Sequence, residues 1–429
     1  MCRSKGYLLN HLPIVVFTLL MLGFFALPSI GRTKISVWVG SHTNETLAWF
    51  GRFQDEFNRA NPKIELEILS QGSVSAMRDK VIVASAASVG PDIFNEGTNV
   101  LSMYVSNGLA LPLDRYFRAS EKKDFLPDLI RDLTFDGQLY GIPFMVRPLA
   151  DAYNLNLFET TGTQLPETWD DMIQAVRHLN RVSSDNVAEV AGLGGNFTSG
   201  ADAFIRFQML LEQLGATAIE PDGKEVFVNT PQGRRVLEYM VELYRAGVPD
   251  RRNRTVTDFM RGNVGVMHWV SLGHPSWADA CRGMDLAENR VQVRRYVGPT
   301  VGQQSVHYIG SAFMINSTSQ NPDEAWRALE VLTNPGSMKG ALMAHGLELP
   351  PRTSLIRDAD LLSRPFVKEA MSVMVPPLSP FGACHVLFPK FRVEAGNYLV
   401  EAVQERLAIS AALEGAERIA NAVVRDQSR

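Results

Sequence analysis

Cysteine is scarce, with three residues in a chain of 429. Cys2 precedes an amino-terminal apolar run, a placement that argues against lipid attachment there. Cys281 and Cys384 are too few for a disulfide-built fold, so stability must come from apolar burial, and their spacing leaves them either two separate buried thiols or one disulfide. An excess of one charge is also lacking. With 42 basic and 46 acidic side chains, the chain carries no polyanion-binding signature, and no nucleic-acid partner is expected. A run long enough to span a membrane is missing too: the apolar stretch from Ile14 to Leu27 falls short of the roughly 20 residues required. Arg3 and Lys5 precede it, and Ser29, Ile30 and Gly31 follow, so residues 1–31 read as a secretory signal cleaved after Gly31. Leu8 and Leu9 could lengthen the run into an uncleaved anchor, which is the alternative.

Catalytic signatures are likewise missing. The sequence has no Gly-x-Ser-x-Gly elbow, no phosphate-cradling Gly-x-x-x-x-Gly-Lys-Ser/Thr loop and no His-Glu-x-x-His helix. Gly192, Gly194 and Gly195 lack the context of a phosphate binder and read as a loop turn. His268 and His274 have no Cys or carboxylate at a spacing that completes a metal site. Asp170 and Asp171 are accounted for as helix-start charges. No cofactor and no metal are expected.

What is present is regular. "KISVWVG" alternates as a strand, and the next segment puts Leu47, Phe50, Phe53 and Phe57 on one helical face before Pro62. "KIELEIL" alternates again, a helix follows from about Ser75 to Ser88, and "PDIF" forms a short apolar strand. Strand, helix, strand, helix, strand predicts a parallel sheet with helices on its faces, and ligands in such sheets sit at the loops after the strands, here beginning at Gly40, Gln71 and Asn95. Thr168, Thr230 with Pro231, and Asn321 with Pro322 mark later helix starts. After about Asp360 strand signals largely vanish, and the last segment reads as helix with a break near Ser410. In "DGQLYGIPFMVRP" Gly141 and Pro143 predict a broken strand, because proline cannot donate to a ladder, and a crossing from one lobe to another.

Several segments together resemble the extracellular solute-binding proteins of bacterial ABC importers, in the large group that includes the maltose-binding protein. They are "FQDEFNRANPKIELEIL", "SAASVGPDIF", "GLALPLDRY", "DGQLYGIPF", "AYNLNLFETTG" with "LPETWDDMIQAVRHL", "DFMRGNVGVMHWVS", and "NPDEAWRALEVLTNPGSM" with "LPPRTSL". The resemblance implies an α/β fold of type II, two lobes each with a mostly parallel sheet flanked by helices and joined by hinge crossings. One lobe would be 32–143 with 309–350, the other 144–308 with 351–429, with returns near Tyr308 to Phe313 and Pro350 to Arg352. It also implies a monomeric periplasmic receptor, not an enzyme, that carries a small solute to inner-membrane permease subunits. The chain departs from the family's wording at Ala152 to Phe158 and at Asn263, where a lysine is common, so the solute does not carry over.

A sugar needs aromatic platforms and hydrogen-bonding side chains on a rigid frame. Trp269, after an apolar strand and before a glycine turn, is the expected platform, with core packing as the bland alternative. Ser41, His42, Asn95 and Glu96 lie at carboxyl ends of predicted strands. Arg147, a planar cationic fork just past the first crossing, could clamp a carboxylate, a phosphate or a pair of hydroxyls, or form an interlobe ion pair. Tyr308, Ser311, Arg352 and Phe381 are candidates by proximity to the other crossings. The expectation is a sugar or oligosaccharide receptor; the alternatives are an anionic or polar non-sugar solute, a secreted carbohydrate-active enzyme, and a sensory subunit.

Overall fold

The computed structural model describes residues 31–427 apart from 41, 186, 220–224, 272–276, 278–289, 375–378 and 381–387. The signal segment, Cys281 and Cys384 therefore lie outside the described residues. Strand β1 (Thr33–Val39) buries Ile35, Val37 and Val39 and is flanked by parallel partners β2 (Ile64–Ser70) and β3 (Ile93–Gly97). Between them run α1 (Asn44–Ala60), capped by the Thr43 hydroxyl, and α2 (Val74–Ala86), capped by Ser73. Phe50, Phe53 and Phe57 are the buried stripe of α1, and Leu47 packs partly buried at its edge.

After the hairpin of β4 (Thr134–Phe135) and β5 (Gln138–Leu139), turned by Asp136 and Gly137 at positive φ, comes β6 (Ile142–Asn154). The predicted break does not occur: β6 runs through both Pro143 and Pro148. Val146 directs its N–H and C=O to Leu349 rather than to the neighbouring strand. By the two-residue alternation of a strand, Pro148 lacks its N–H on that same outer side. Pro143 faces Ala312 where the ladder shifts register between Ser311 and Ala312. The prolines thus stand where a donor is least needed, and the crossing is itself a strand.

The second half adds β7 (Arg181–Val182), β8 (Ala188–Gly194), β9 (Val264–Ser271), β10 (Val291–Arg294), β11 (His307–Ile315) and β12 (Ser379–Pro380). Among the described residues the main path is β2-β1-β3-β11-β6-β9-β8-β7, with β10 on β6 and β12 on β11. β6 and β11 pair antiparallel and pass through both halves. Phe144 and Met145 of β6 belong to the amino-terminal core, Leu149 and Tyr153 to the carboxyl-terminal one, and Val146, Ala150 and Ala152 to a third cluster between them.

Helices α3 (Trp169–Leu179), α4 (Gly200–Gln213), α5 (Pro231–Gly247), α6 (Pro322–Leu332) and α7 (Pro335–His345) cover the sheet, and α3, α5 and α6 begin where their caps predict. At the carboxyl end α8 (Phe388–Val403) and α9 (Ile409–Gln427) are separated at 404–408, slightly before the predicted break. Gly192 and Gly194 are strand rather than loop residues. A Cβ at Gly192 would lie 1.7 Å from the Val176 carbonyl, so glycine lets β8 touch the backbone of α3. No helix among the described residues is long and apolar enough to cross a membrane.

Candidate functional site

Three of the predicted residues converge where β6 leaves the amino-terminal core. His42 follows β1, Asn95 stands in the middle of β3 and Arg147 lies on β6. Arg147 Nε donates to Glu348 Oε1, a carboxylate only 1 % exposed, and the Glu348 amide donates to His345 Nδ1 at 3.3 Å. Burial by itself would raise the Glu348 carboxyl, but Arg147, helped by His345 and His42, holds it below its ordinary value. Burial pushes His42 down to about 4; the Glu348 charge opposes this, while Arg147 and His345 add to it. At neutral pH the His42 ring is therefore uncharged and offers one donor and one acceptor. Both of its nitrogens are sealed from solvent, and neither they nor Glu348 Oε2 make a direct hydrogen bond at standard distance and angle. Ser311 Oγ on β11, opposite Gly97 at the end of β3, is sealed and unpartnered in the same way.

Other predicted residues are engaged inside the scaffold. Glu96 accepts from Arg78 Nε and Nη2 at 3.0 Å each, from the Tyr104 hydroxyl at 3.1 Å and from the Gly97 amide at 2.8 Å, which leaves it no free edge for a solute. Its carboxyl is pushed up by burial and pulled back by Arg78. The Tyr308 hydroxyl donates to Asp132, whose carboxyl burial pushes up to about 6 against that hydrogen bond. Arg352 pairs with Asp124 at 2.8 Å and donates twice to the Thr333 carbonyl. These three are corrections to the sequence expectation: each holds local structure. Arg147 takes the ion-pair alternative. Ser41, Phe381 and His274 lie outside the described residues, as does the side chain of Trp269, whose backbone belongs to β9.

His345 and Glu348 were missed by sequence reasoning. The signal was a lone acid in "HGLELP", just before a predicted crossing. His268 pairs with Asp151 at 2.8 Å, and no group of three His, Cys, Asp or Glu suited to a metal occurs among the described residues. A depression of about 870 Å³ lined by Thr163, Gln164, Asp171 and His178 lies beside α3, and none of the candidate residues lines it.

Polar side chains gather where β6, a strand common to both α/β halves, leaves the amino-terminal core, an arrangement able to hold a small molecule. The sequence description of bacterial extracellular solute-binding proteins matches residues 40–339. The chain belongs to that family. A binding protein of Brucella abortus is 23 % identical over 308 residues, 70 % of this chain and 72 % of that one. The maltotriose-binding protein of Pyrococcus abyssi is 24 % identical over 142 residues, 33 % of this chain and 30 % of that one. Among solved structures, the cyclic alpha-maltosyl-1,6-maltose binding protein of Arthrobacter globiformis superposes with a TM-score of 0.75 at 20 % identity, covering 92 % of this chain and all of that one. The fold is thus the two-lobe type II architecture of solute-binding proteins. The family is extracellular, and its members bind small solutes for ABC importers.

Proposed function

We propose that this solute-binding protein is the periplasmic receptor of an ABC importer, and that it captures a sugar or oligosaccharide between its lobes and delivers it unchanged to inner-membrane permease subunits. The observation that carries the reading is the group of His42, Arg147 and Glu348, in which both His42 nitrogens and Glu348 Oε2 are sealed from solvent with no close hydrogen-bond partner, while Ser311 Oγ on β11 is sealed and unengaged in the same way. Buried polar atoms without partners are costly, and a ring of hydroxyls that both donate and accept suits such a mixed set. The sugars in the names of two relatives agree with it. In this reading the protein works as a monomer, and Trp269 supplies the stacking platform. Lobes of 32–143 with 309–350 and 144–308 with 351–429 are part of the proposal; the packing of Leu355 and Leu361 in the amino-terminal core favours moving the last boundary beyond 361.

A thermal-shift screen of monosaccharides, oligosaccharides and polyols tests the reading. A true ligand at 100 times its Kd stabilises by about 2.7 kcal/mol, and chromatography after incubation should return it intact. Turnover would point to the enzyme alternative, and the absence of any shift across the screen would overturn the saccharide reading. Trp269→Ala should weaken the ligand found by about 2 kcal/mol in calorimetry; unchanged affinity would remove the platform role.

A further inference from the structure

Helix α8 lies against the start of α4 with backbones in contact. A Cβ at Gly396 would fall 1.8 Å from the Gly200 carbonyl oxygen, and one at Gly200 would fall 2.3 Å from Asn397 Oδ1. One turn before Gly396, Arg392 is thereby held at the amino-terminal end of α4. Its guanidinium lies 5.7 Å from the Phe388 ring, Nε and Nη1 are sealed from solvent, and no hydrogen bond or ion pair engages it among the described residues. Arg78 bears on it from α2 in the amino-terminal lobe, but the Arg78 donors already hold Glu96 at 3.0 Å. Asp202, the nearby acid, reaches no ion-pair distance to Arg392 and accepts instead from Asn196 at 3.4 Å. Burial lowers Arg392, Arg78 lowers it further, and Asp202 opposes them. A guanidinium does not escape such a site by losing its proton, so its charge persists.

We propose that the solute is an acidic saccharide, with an anionic group, a uronic carboxylate or a phosphate ester, held by Arg392 between the lobes. This rests on the saccharide reading above and adds the charge class. A neutral hydroxyl accepts one N–H bond, whereas a planar carboxylate or a phosphate meets the guanidinium fork with two charge-assisted bonds and neutralises a charge that no other side chain pairs among the described residues. The positive end of α4 favours the same sign. Arg78 from the facing lobe makes the preference strongest when the lobes are together.

The test is calorimetry on the mature protein with matched pairs: digalacturonate against galactobiose, glucuronate against glucose, and glucose 6-phosphate against glucose. The expected result is an acidic member bound at least about tenfold more tightly than its neutral partner, with a preference that weakens as salt rises. The pair that responds distinguishes carboxylate from phosphate. Arg392→Gln should reduce the ratio towards one, and Arg392→Lys should restore part of it. Neutral sugars bound as tightly as acidic ones in every pair, or a preference that survives Arg392→Gln, would overturn the proposal while leaving the saccharide reading intact. Failure of all five probes to bind while the thermal-shift screen finds a neutral ligand would overturn the proposal alone; failure of the probes and of the screen together would remove the saccharide reading as well. Should Arg392→Gln fail to fold, the wild-type ratio and its salt dependence decide alone.

Discussion

Arg352 stands out in the sequence by its nearness to a crossing and His42 by its place at a strand's carboxyl end, and their surroundings give them different work. Arg352 is 8 % exposed, pairs with Asp124 at 2.8 Å, donates to the Thr333 carbonyl at 3.1 and 2.9 Å, and lies 4.0 Å over the Phe125 ring. Arg352→Ala takes both side-chain donors from the carbonyl of buried Thr333, while Asp124, itself partly exposed, keeps its bonds to Thr353 and Ser354, so the variant should cost about 2 kcal/mol in urea unfolding with little change in solute affinity. An affinity loss without a stability loss would return Arg352 to the binding site. His42 has a pH signature. Its folded value of about 4 lies below the ordinary 6.5, so between those values the unfolded chain binds a proton that the folded one refuses. Stability from this group is full above pH 6.5 and is lost as pH falls towards 4, by roughly 2 kcal/mol for a ring whose edge is partly exposed. His345 acts in the same direction, while the raised carboxyls of Asp132, at about 6, and Glu212, at about 7, act in the opposite one. The difference between wild type and His42→Gln isolates the term: the stability gap should shift in favour of the variant on going from pH 7 to pH 4.5. Parallel profiles would mean that His42 is not sealed as described.

At the scale of elements, glycine decides which backbones touch. α8 and α4 meet at Gly396 and Gly200, where no side chain fits. Gly396→Ala should force the helices apart and destabilise the carboxyl-terminal lobe by about 3 kcal/mol, the cost of overpacking against backbone, readable in chemical unfolding. Gly137→Ala is the matched comparison for strain without contact, because Gly137 has φ +79 and open space around its would-be Cβ. It should cost about 1 kcal/mol. If the two variants were equally stable, the close approach of α8 to α4 would be in doubt.

For the whole molecule, two cores share the strands β6 and β11, with a third cluster between them. Such lobes can rotate about few residues, and a solute that touches both favours the closed arrangement by its differential affinity for it. Small-angle scattering with the identified solute should show a modest fall in radius of gyration. Unchanged curves at saturation would mean that the lobes do not move or that the free protein is already closed, and a cysteine bridge across the cleft mouth would separate these: trapping should leave a closed protein's scattering unaltered.

The amino-acid sequence by itself determined the β1-α1-β2-α2-β3 unit, the capped starts of α3, α5 and α6, and the family, because alternation, helical stripes and caps are local and survive in any context. It also brought His42 and Asn95 into view at strand ends and Arg147 just past the predicted crossing. Only the tertiary structure decided what these side chains meet. Arg147 finds Glu348 across 201 positions and Arg352 finds Asp124 across 228, and a partner so distant leaves no trace in spacing. Whether a proline breaks a strand likewise depends on which side of it is paired, and whether a glycine marks a turn or a contact depends on which backbone lies above it. Pro143 and Gly192 were misread for that reason: in both, the deciding atom belongs to another part of the chain.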